Sequence, residues 1–500
     1  MKLSPQKQAL LEKLLREEGL AVTDQPVVSR RDGSNRCPMS FAQERLWFMD
    51  QLAPGSPFYN IPIAVQLEGH LHHEILDATL GELVQRHESL RTTFAQTDTS
   101  TVQVIHAGLI VPFRALDLTG ADDPEGELYR LISEEAKQSF DLLHGPLCRA
   151  TLLRMQDHLH VLLLTLHHII ADAWSLEILI REWTTLYGAR RRGVSPSLPP
   201  LSLQYADFAV WQRRRLEGEE GTAQLAYWTT LLAGAPTVLN LSSNHSGSPV
   251  QYFEGSHERF EFSSDIVEAL TRFNQREGAT LFMTLLATFG VLVSRYSGQN
   301  DFLIGSPIAN RQRTEFEDLI GILVNTLVLR LQLSGNPSFR ELVARVREVC
   351  LNAFANQDTP FEKIVEALQP VRDASRTPLI QVAFVLQNAP TSELTVDGLT
   401  LRPLELSTDS AKFDLTWEVV ETGQGLSGGV EFRSDLYESG TICRMINQFQ
   451  VLLKTFMSDP SARIDEASLL DDAQTHRTLV EWNATHTPSP KDQTIPEVFE

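Results

Sequence analysis

The chain has 500 residues with 42% hydrophobic and 21% charged positions, and its 43 Lys+Arg against 64 Asp+Glu leave a formal net charge of −21. That composition excludes wholesale disorder and supports a sizeable core, and the acidic balance excludes nucleic acid as the main ligand, because phosphate binding needs a basic face. At roughly 150 residues per domain the length suggests about three domains, and the four dispersed cysteines (Cys37, Cys148, Cys350, Cys443) lack any CxxC spacing, which argues against disulfides or zinc and for a cytoplasmic protein.

The first twenty residues read as a short amphipathic helix with Leu10, Leu11, Leu14 and Leu15 on one face, followed by a polar linker. They lack the apolar core of a signal peptide. From Pro38 onward helices and strands mix. Tyr59–Gly69 reads as a strand, Glu74–His87 as a helix, Thr101–Ile110 and Val111–Asp117 as strands, and Glu125–Ser139 as a helix. Cys148–Met155 and His158–Leu166 have a hairpin pattern, and Ala173–Arg190 is a long helix ended by the proline-rich stretch GVSPSLPP. In the second half, Asp265–Glu277, Leu281–Tyr296, Phe339–Asn356 and Glu438–Met457 read as helices. Asp301–Pro307, Asn325–Leu333, Leu379–Leu386, Leu399–Leu406, Phe413–Val420 and Gly428–Phe432 read as strands. The longest uncharged apolar run, Leu281–Val293, is too short to cross a bilayer. Strands in both hairpin and helix-separated contexts predict an α/β protein with mixed sheets in two similar lobes, and a cleft between lobes is a favoured ligand site.

The strongest local signal is Leu166-His-His-Ile-Ile-Ala-Asp-Ala-Trp-Ser175. Adjacent residues on a strand point to opposite faces, so one histidine can pack while its neighbour faces a cleft. The helix start nearby disfavours a positive charge and would keep a cleft histidine neutral and able to accept a proton. Asp172 reads either as the N-cap of that helix or as the partner of a buried arginine. Residues 258–475 contain no histidine, so a histidine-dependent site must draw on the first half. No phosphate loop or H-E-x-x-H spacing occurs. Gly423–Gly429 matches G-x-G-x-x-G and G-x-S-x-G as bare strings, but it sits between two strand candidates and reads as a hairpin turn. His72-His73 and Glu44-Arg45 read as solvated surface.

HHIIADAWS resembles the HHxxxDG motif of the condensation domains of nonribosomal peptide synthetases, a family within the chloramphenicol-acetyltransferase-like superfamily. Further motifs follow in the family's order: Ser40–Phe48 with Tyr59–Pro62, Arg86–Thr92, Tyr205–Gln212 with Tyr227-Trp228, Ile320–Thr326, and Asn356–Lys363. Thr478–Thr485 and Thr494–Glu500 resemble the entry into an adenylation domain.

The resemblance implies two acetyltransferase-like lobes in a V with a tunnel between them. It divides the chain into an N-terminal helix and linker (1–36), an N-terminal lobe (37–200), a C-terminal lobe (201–472) and the start of an adenylation domain (473–500). It implies that the amine of an acceptor aminoacyl thioester attacks a donor acyl or peptidyl thioester, both tethered to 4′-phosphopantetheine on carrier proteins, with no bound cofactor and no metal. Partners implied are donor and acceptor carriers and a downstream adenylation domain, with no nucleic acid and no membrane span, the excised piece being monomeric. By the same resemblance His168 is the catalytic cleft histidine, His167 and Asp172 complete the catalytic set, and Asp172 pairs with Arg91. Ala173, Trp174 and Asn325 give structural support, and the Ala173 N–H is an oxyanion donor. Ala173 stands where the family has glycine and Asn356 where it often has histidine. The subtype stays open between a domain joining L-residues and a starter domain taking a fatty acyl donor. A noncondensing relative that dehydrates or epimerises the tethered residue, or only docks carriers, is the remaining alternative.

Overall fold

The computed structural model describes residues 28–98, 100–245, 254–370, 376–388, 394–404, 406, 410–422 and 425–485. The expected N-terminal helix and adenylation-domain entry from 486 onward lie outside them.

Among the described residues fifteen strands form three sheets. The first six-stranded sheet contains β2 (Asn60–Gly69), β5 (Phe113–Asp117), β6 (Cys148–Gln156), β7 (Leu159–His167), β12 (Leu394–Val396) and β13 (Leu399–Leu404), in the order β12-β13-β2-β7-β6-β5. The second contains β8 (Gly255–Glu261), β9 (Asp301–Ile308), β10 (Asn325–Gln332), β11 (Val382–Asn388), β14 (Leu415–Thr422) and β15 (Gly425–Arg433), in the order β10-β9-β11-β14-β15-β8. Both mix parallel and antiparallel neighbours: β5 runs parallel to β6, and β11 parallel to β9 and β14. A small sheet of β1 (Arg36–Pro38), β4 (Thr101–Ile105) and β3 (Thr92–Gln96) flanks the first. The two mixed sheets with their helices are the two lobes of the V.

Most expected elements form within a few residues of their sequence limits. The anticipated hairpin is β6–β7, with Cys148 opposite Leu166. Gly425–Gly429 of the glycine-rich run lies inside β15, antiparallel to β14, so no strand-to-helix phosphate turn exists there. Sequence periodicity missed six helices: Phe41–Leu52, Tyr205–Glu217, Glu219–Leu232, Phe361–Leu368 and the short Thr314–Glu317 and Asp472–His476.

Segments that follow residue 200 also pack in the first lobe. Strands β12 and β13, from late in the chain, extend the first sheet by pairing β13 with β2. The loop between β9 and β10 also enters the first lobe, where Phe316, Leu319, Ile320, Ile322 and Leu323 join its core. Burial of these apolar side chains, at about 25 cal/mol per Å2 removed from water, fastens the lobes together. Among the described residues no single helix is long and apolar enough to cross a membrane. Helix Leu281–Ser297, the apolar run singled out above, is buried in the second lobe's core.

Candidate active site

Strand β7 ends at His167, and the next five residues turn into helix Ala173–Arg191. The helix forms because Trp174, Ile178, Leu179, Trp183, Leu186 and Tyr187 recur on one buried face. Asp172 caps it, accepting from the Ser175 N–H at 2.9 Å and the Ser175 hydroxyl at 2.7 Å.

The paired histidines divide as the strand geometry demands. His167 is buried, with its ring between Tyr59 and Phe140 at centroid distances of 6.3 and 6.1 Å. Its Nδ1 accepts the Ile169 N–H at 3.2 Å. His168 is half-buried, its backbone N–H donating to the Tyr59 carbonyl at 2.8 Å. His168 Nδ1 lies 2.8 Å from the Ala171 carbonyl. A carbonyl only accepts, so Nδ1 carries the proton and Nε2 is the acceptor. Burial pushes the His167 imidazole down to about 3. Burial, followed by the positive charge of Lys412, brings His168 down to about 4.

Both readings of Asp172 hold together, with a different arginine. Arg311 Nη2 donates to Asp172 Oδ1 at 2.8 Å, and Asp172 Oδ2 accepts the Leu323 N–H at 3.0 Å. These four donors and the Arg311 charge hold the carboxyl below its ordinary value against the opposing effect of burial. Arg91 instead donates to the His106 and Gln85 carbonyls, at 2.6 and 3.5 Å, so the expected Asp172–Arg91 pair is corrected to Asp172–Arg311. One sequence contains many arginines able to meet a buried carboxylate, and nothing local selects Arg311, 139 positions away.

The motifs converge through this knot. The Ser175 hydroxyl accepts the Gly321 N–H at 3.1 Å. Gly321 must lack a side chain, since a Cβ there would sit 1.9 Å from the Tyr205 ring. The Tyr205 hydroxyl donates to the Ile322 carbonyl and takes a hydrogen bond from Ser40, each at 2.7 Å. Ser40 and Gln43 form a capping box at the start of helix Phe41–Leu52, and Gln43 Nε2 reaches the Ile169 carbonyl at 3.3 Å. Four motifs distant in sequence thus fix one loop, and with it His168. Sequence reasoning quoted Ser40, Ser175, Tyr205 and Gly321 inside motifs but gave them no role.

Other expected residues are placed as follows. Trp174 is buried, its Nε1–H donating to the Glu317 carbonyl at 2.9 Å beneath the Arg311 guanidinium. Ala173 is the first helical residue, exposed and without positive φ, so its methyl costs no backbone strain. Asn325 does not touch the histidine loop. Its Nδ2 donates to the Gln357 and Thr359 carbonyls and its Oδ1 accepts from Phe361 N–H at 3.0 Å, clamping the Asn356–Lys363 motif. Arg45 is exposed and pairs with Glu362 at 3.5 Å, and Glu44 pairs with Arg213. A concavity of about 740 Å3 between Leu80, Val84, Ile110, Phe113 and Leu198 does not include the histidine loop. Among the described residues no three His, Cys, Asp or Glu side chains are grouped to hold a metal.

The family model for the condensation domain matches residues 34–479. One of the linear gramicidin synthase proteins of Brevibacillus parabrevis is 45% identical over 469 residues, covering 92% of this chain and 9% of that protein. Phosphinothricin tripeptide synthetase of Streptomyces viridochromogenes is 38% identical over 496 residues, 95% of this chain and 46% of that protein. The chain therefore spans a small part of the curated relatives it matches. Among solved structures, the X-domain from teicoplanin biosynthesis superposes with a TM-score of 0.81 at 27% identity, over 89% of this chain and all of that one. The first condensation domain of the calcium-dependent antibiotic synthetase, in complex with a substrate analogue, gives 0.72 at 21% identity, over 88% of this chain and all of that one. The family-model match over residues 34–479 and the 45% identity to a linear gramicidin synthase protein place the chain in the condensation-domain family of nonribosomal peptide synthetases.

Proposed function

We propose that the chain forms an amide bond between a donor acyl or peptidyl thioester and the amine of an acceptor aminoacyl thioester, each carried on phosphopantetheine by a carrier protein. The observation that carries this reading is the state of His168: Nδ1 is locked to the Ala171 carbonyl, leaving Nε2 as a neutral acceptor on a half-buried ring. A neutral amine needs such an acceptor to aim its lone pair at a carbonyl carbon.

The depressed basicity of His168 favours a positioning role over that of a general base. An imidazole near 4 is a poor base toward an α-ammonium whose ordinary value is near 8. His168 therefore orients the already neutral amine, and takes a proton only once C–N bond formation has made that nitrogen acidic. Thioesters are activated acyl donors, so positioning supplies much of the acceleration. His167 and Asp172 act through the loop: His167 fills the packed layer, and Asp172 with Arg311 ties the loop to the second lobe. The exposed start of helix Ala173–Arg191 offers the Ala173 N–H toward an oxyanion.

The test loads donor and acceptor carriers with candidate thioesters and follows the product by intact mass spectrometry. Amide on the acceptor carrier, lost in His168→Ala, supports the assignment. Equal turnover in that variant, or no amide with aminoacyl, peptidyl and fatty acyl donors alike, overturns it. Preference for the fatty acyl carrier would mark a starter domain.

A further inference from the structure

His167 rests on a support built into the first sheet. In the β6–β7 register Arg149 lies opposite Thr165, and in the β2–β7 register Asn60 lies opposite His167. Opposed residues of an antiparallel pair share a face, and so do alternate residues of one strand, so these four side chains stand on one side of the sheet. Helix Pro124–Lys137 covers that side, its Leu128 and Ile132 clustering with Ala64, Leu153 and Leu163.

The support is the C-terminal end of this helix. The last carbonyls of a helix have no partner within it. Here side chains from the strands take them. Arg149 Nη2 donates to the Glu135 carbonyl at 3.3 Å and the Gln138 carbonyl at 2.8 Å, and Nη1 donates to the Ser139 carbonyl at 3.2 Å. Arg149 Nε donates to the Glu135 carboxylate at 2.6 Å, the two side chains being only 13% and 14% exposed. Asn60 Nδ2 donates to the Ala136 carbonyl at 2.8 Å and the Gln138 carbonyl at 2.9 Å.

Two routes lead from this post to the histidine loop. The Arg149 guanidinium lies over the ring of buried Phe140, 3.7 Å from its centroid, and Phe140 meets the His167 ring edge-on at 6.1 Å. His167 Nδ1 in turn holds the Ile169 N–H at 3.2 Å. On the second route Asn60 follows Tyr59, whose carbonyl holds the His168 N–H at 2.8 Å. A planar guanidinium bonded along its edges cannot tilt, so the plane on which Phe140 lies is fixed. Amide formation by a positioned amine is sensitive to that precision, since a misplacement of about 1 Å can cost about a hundredfold in rate.

We propose that Arg149 is a positioning residue of the reaction centre: clamped to the helix end, it fixes Phe140 against His167 and so sets where the loop holds His168 Nε2. This rests on the amide-forming reading above. Arg149 acts through Phe140 and His167 and touches no reacting atom in this role.

The experiment compares wild type, Arg149→Met and Phe140→Leu in the carrier-loaded assay and in 15N-histidine NMR spectra, with His168→Ala used to assign the His168 signal. Arg149→Met is expected to lose about 10- to 100-fold in kcat of the folded fraction with acceptor KM within about threefold, the pattern of lost positioning rather than lost binding. The His168 signal, a single Nδ1–H tautomer in the wild type, is expected to become a mixture. Phe140→Leu leaves the helix end clamped and tests the same route if the Arg149 variant does not fold; its expected loss is about 3- to 10-fold. Lower stability with wild-type kcat and an unmoved His168 signal in the folded variants would make Arg149 a purely structural residue and overturn the proposal. Absence of amide from the wild type overturns the functional reading instead, and the His168 spectrum, which needs no substrate, still decides whether Arg149 sets the loop.

Discussion

The first lobe contains two constellations of the same three residue types, a histidine, a carboxylate and an arginine, and they behave in opposite ways. Around Glu182 the set is closed. Arg86 donates to both carboxylate oxygens at 2.9 and 3.2 Å, and His87 Nε2 lies 2.8 Å from Glu182 Oε2, with His87 1% exposed. Around Asp172 the carboxylate is given to Arg311, Ser175 and Leu323, and His168 is held by a backbone carbonyl instead. In the first arrangement the carboxylate itself holds the histidine; in the second the histidine is held by a backbone carbonyl, apart from the carboxylate. Composition cannot separate a structural triad from a reactive one. Both carboxylates take an arginine; what separates them is whether the carboxylate also holds the histidine.

The sharpest way to break this comparison is to remove the charge partner at the Asp172 knot. Arg311→Leu and Asp172→Ala each strand a buried charge and should lose about 3–5 kcal/mol in chemical denaturation, with activity falling as the loop loosens. A loss under about 1 kcal/mol would show that the knot does not hold the loop. His168→Ala should do the reverse, leaving stability almost unchanged while amide formation drops by about a hundredfold or more in the carrier-loaded assay. Glu182→Ala should resemble the first class only. We expect about 2–4 kcal/mol lost because Arg86 and His87 are stranded, with kcat of the folded fraction retained. A selective loss of kcat there would bring the two constellations back into one class.

Acidification separates the regions more gently. His167 and His168 have folded-state values below the ordinary 6.5, so below that pH the unfolded chain binds protons that the folded chain refuses. Stability contributed by their neutral packing is present above about pH 6.5 and is lost progressively as pH falls toward 4. The melting temperature should therefore fall between pH 7 and pH 5, and His167→Gln should show a shallower fall. The smallest effect belongs to Ala173→Gly. An exposed first-turn residue with ordinary φ predicts a change of about 0.5 kcal/mol or less by thermal melting, and an unchanged rate would leave no role for the methyl in shaping the site.

Hydrophobic periodicity determined the mixed α/β class, the β6–β7 hairpin and the long helix after it, because these are local patterns of period 2 and 3.6 that burial enforces. The doublet His167-His168 and the capping character of Asp172 were equally legible, since strand alternation and helix capping act over a few residues. Tertiary structure alone decided that Arg311 rather than Arg91 pairs with Asp172, that Gly321 yields its side-chain space to Tyr205, and that β12 and β13 join the first lobe's sheet. The physical reason is the same in each case. Pairing a buried charge or packing a backbone against a ring depends on which distant residue arrives at contact distance, and the chain neighbours of that residue carry no trace of the meeting.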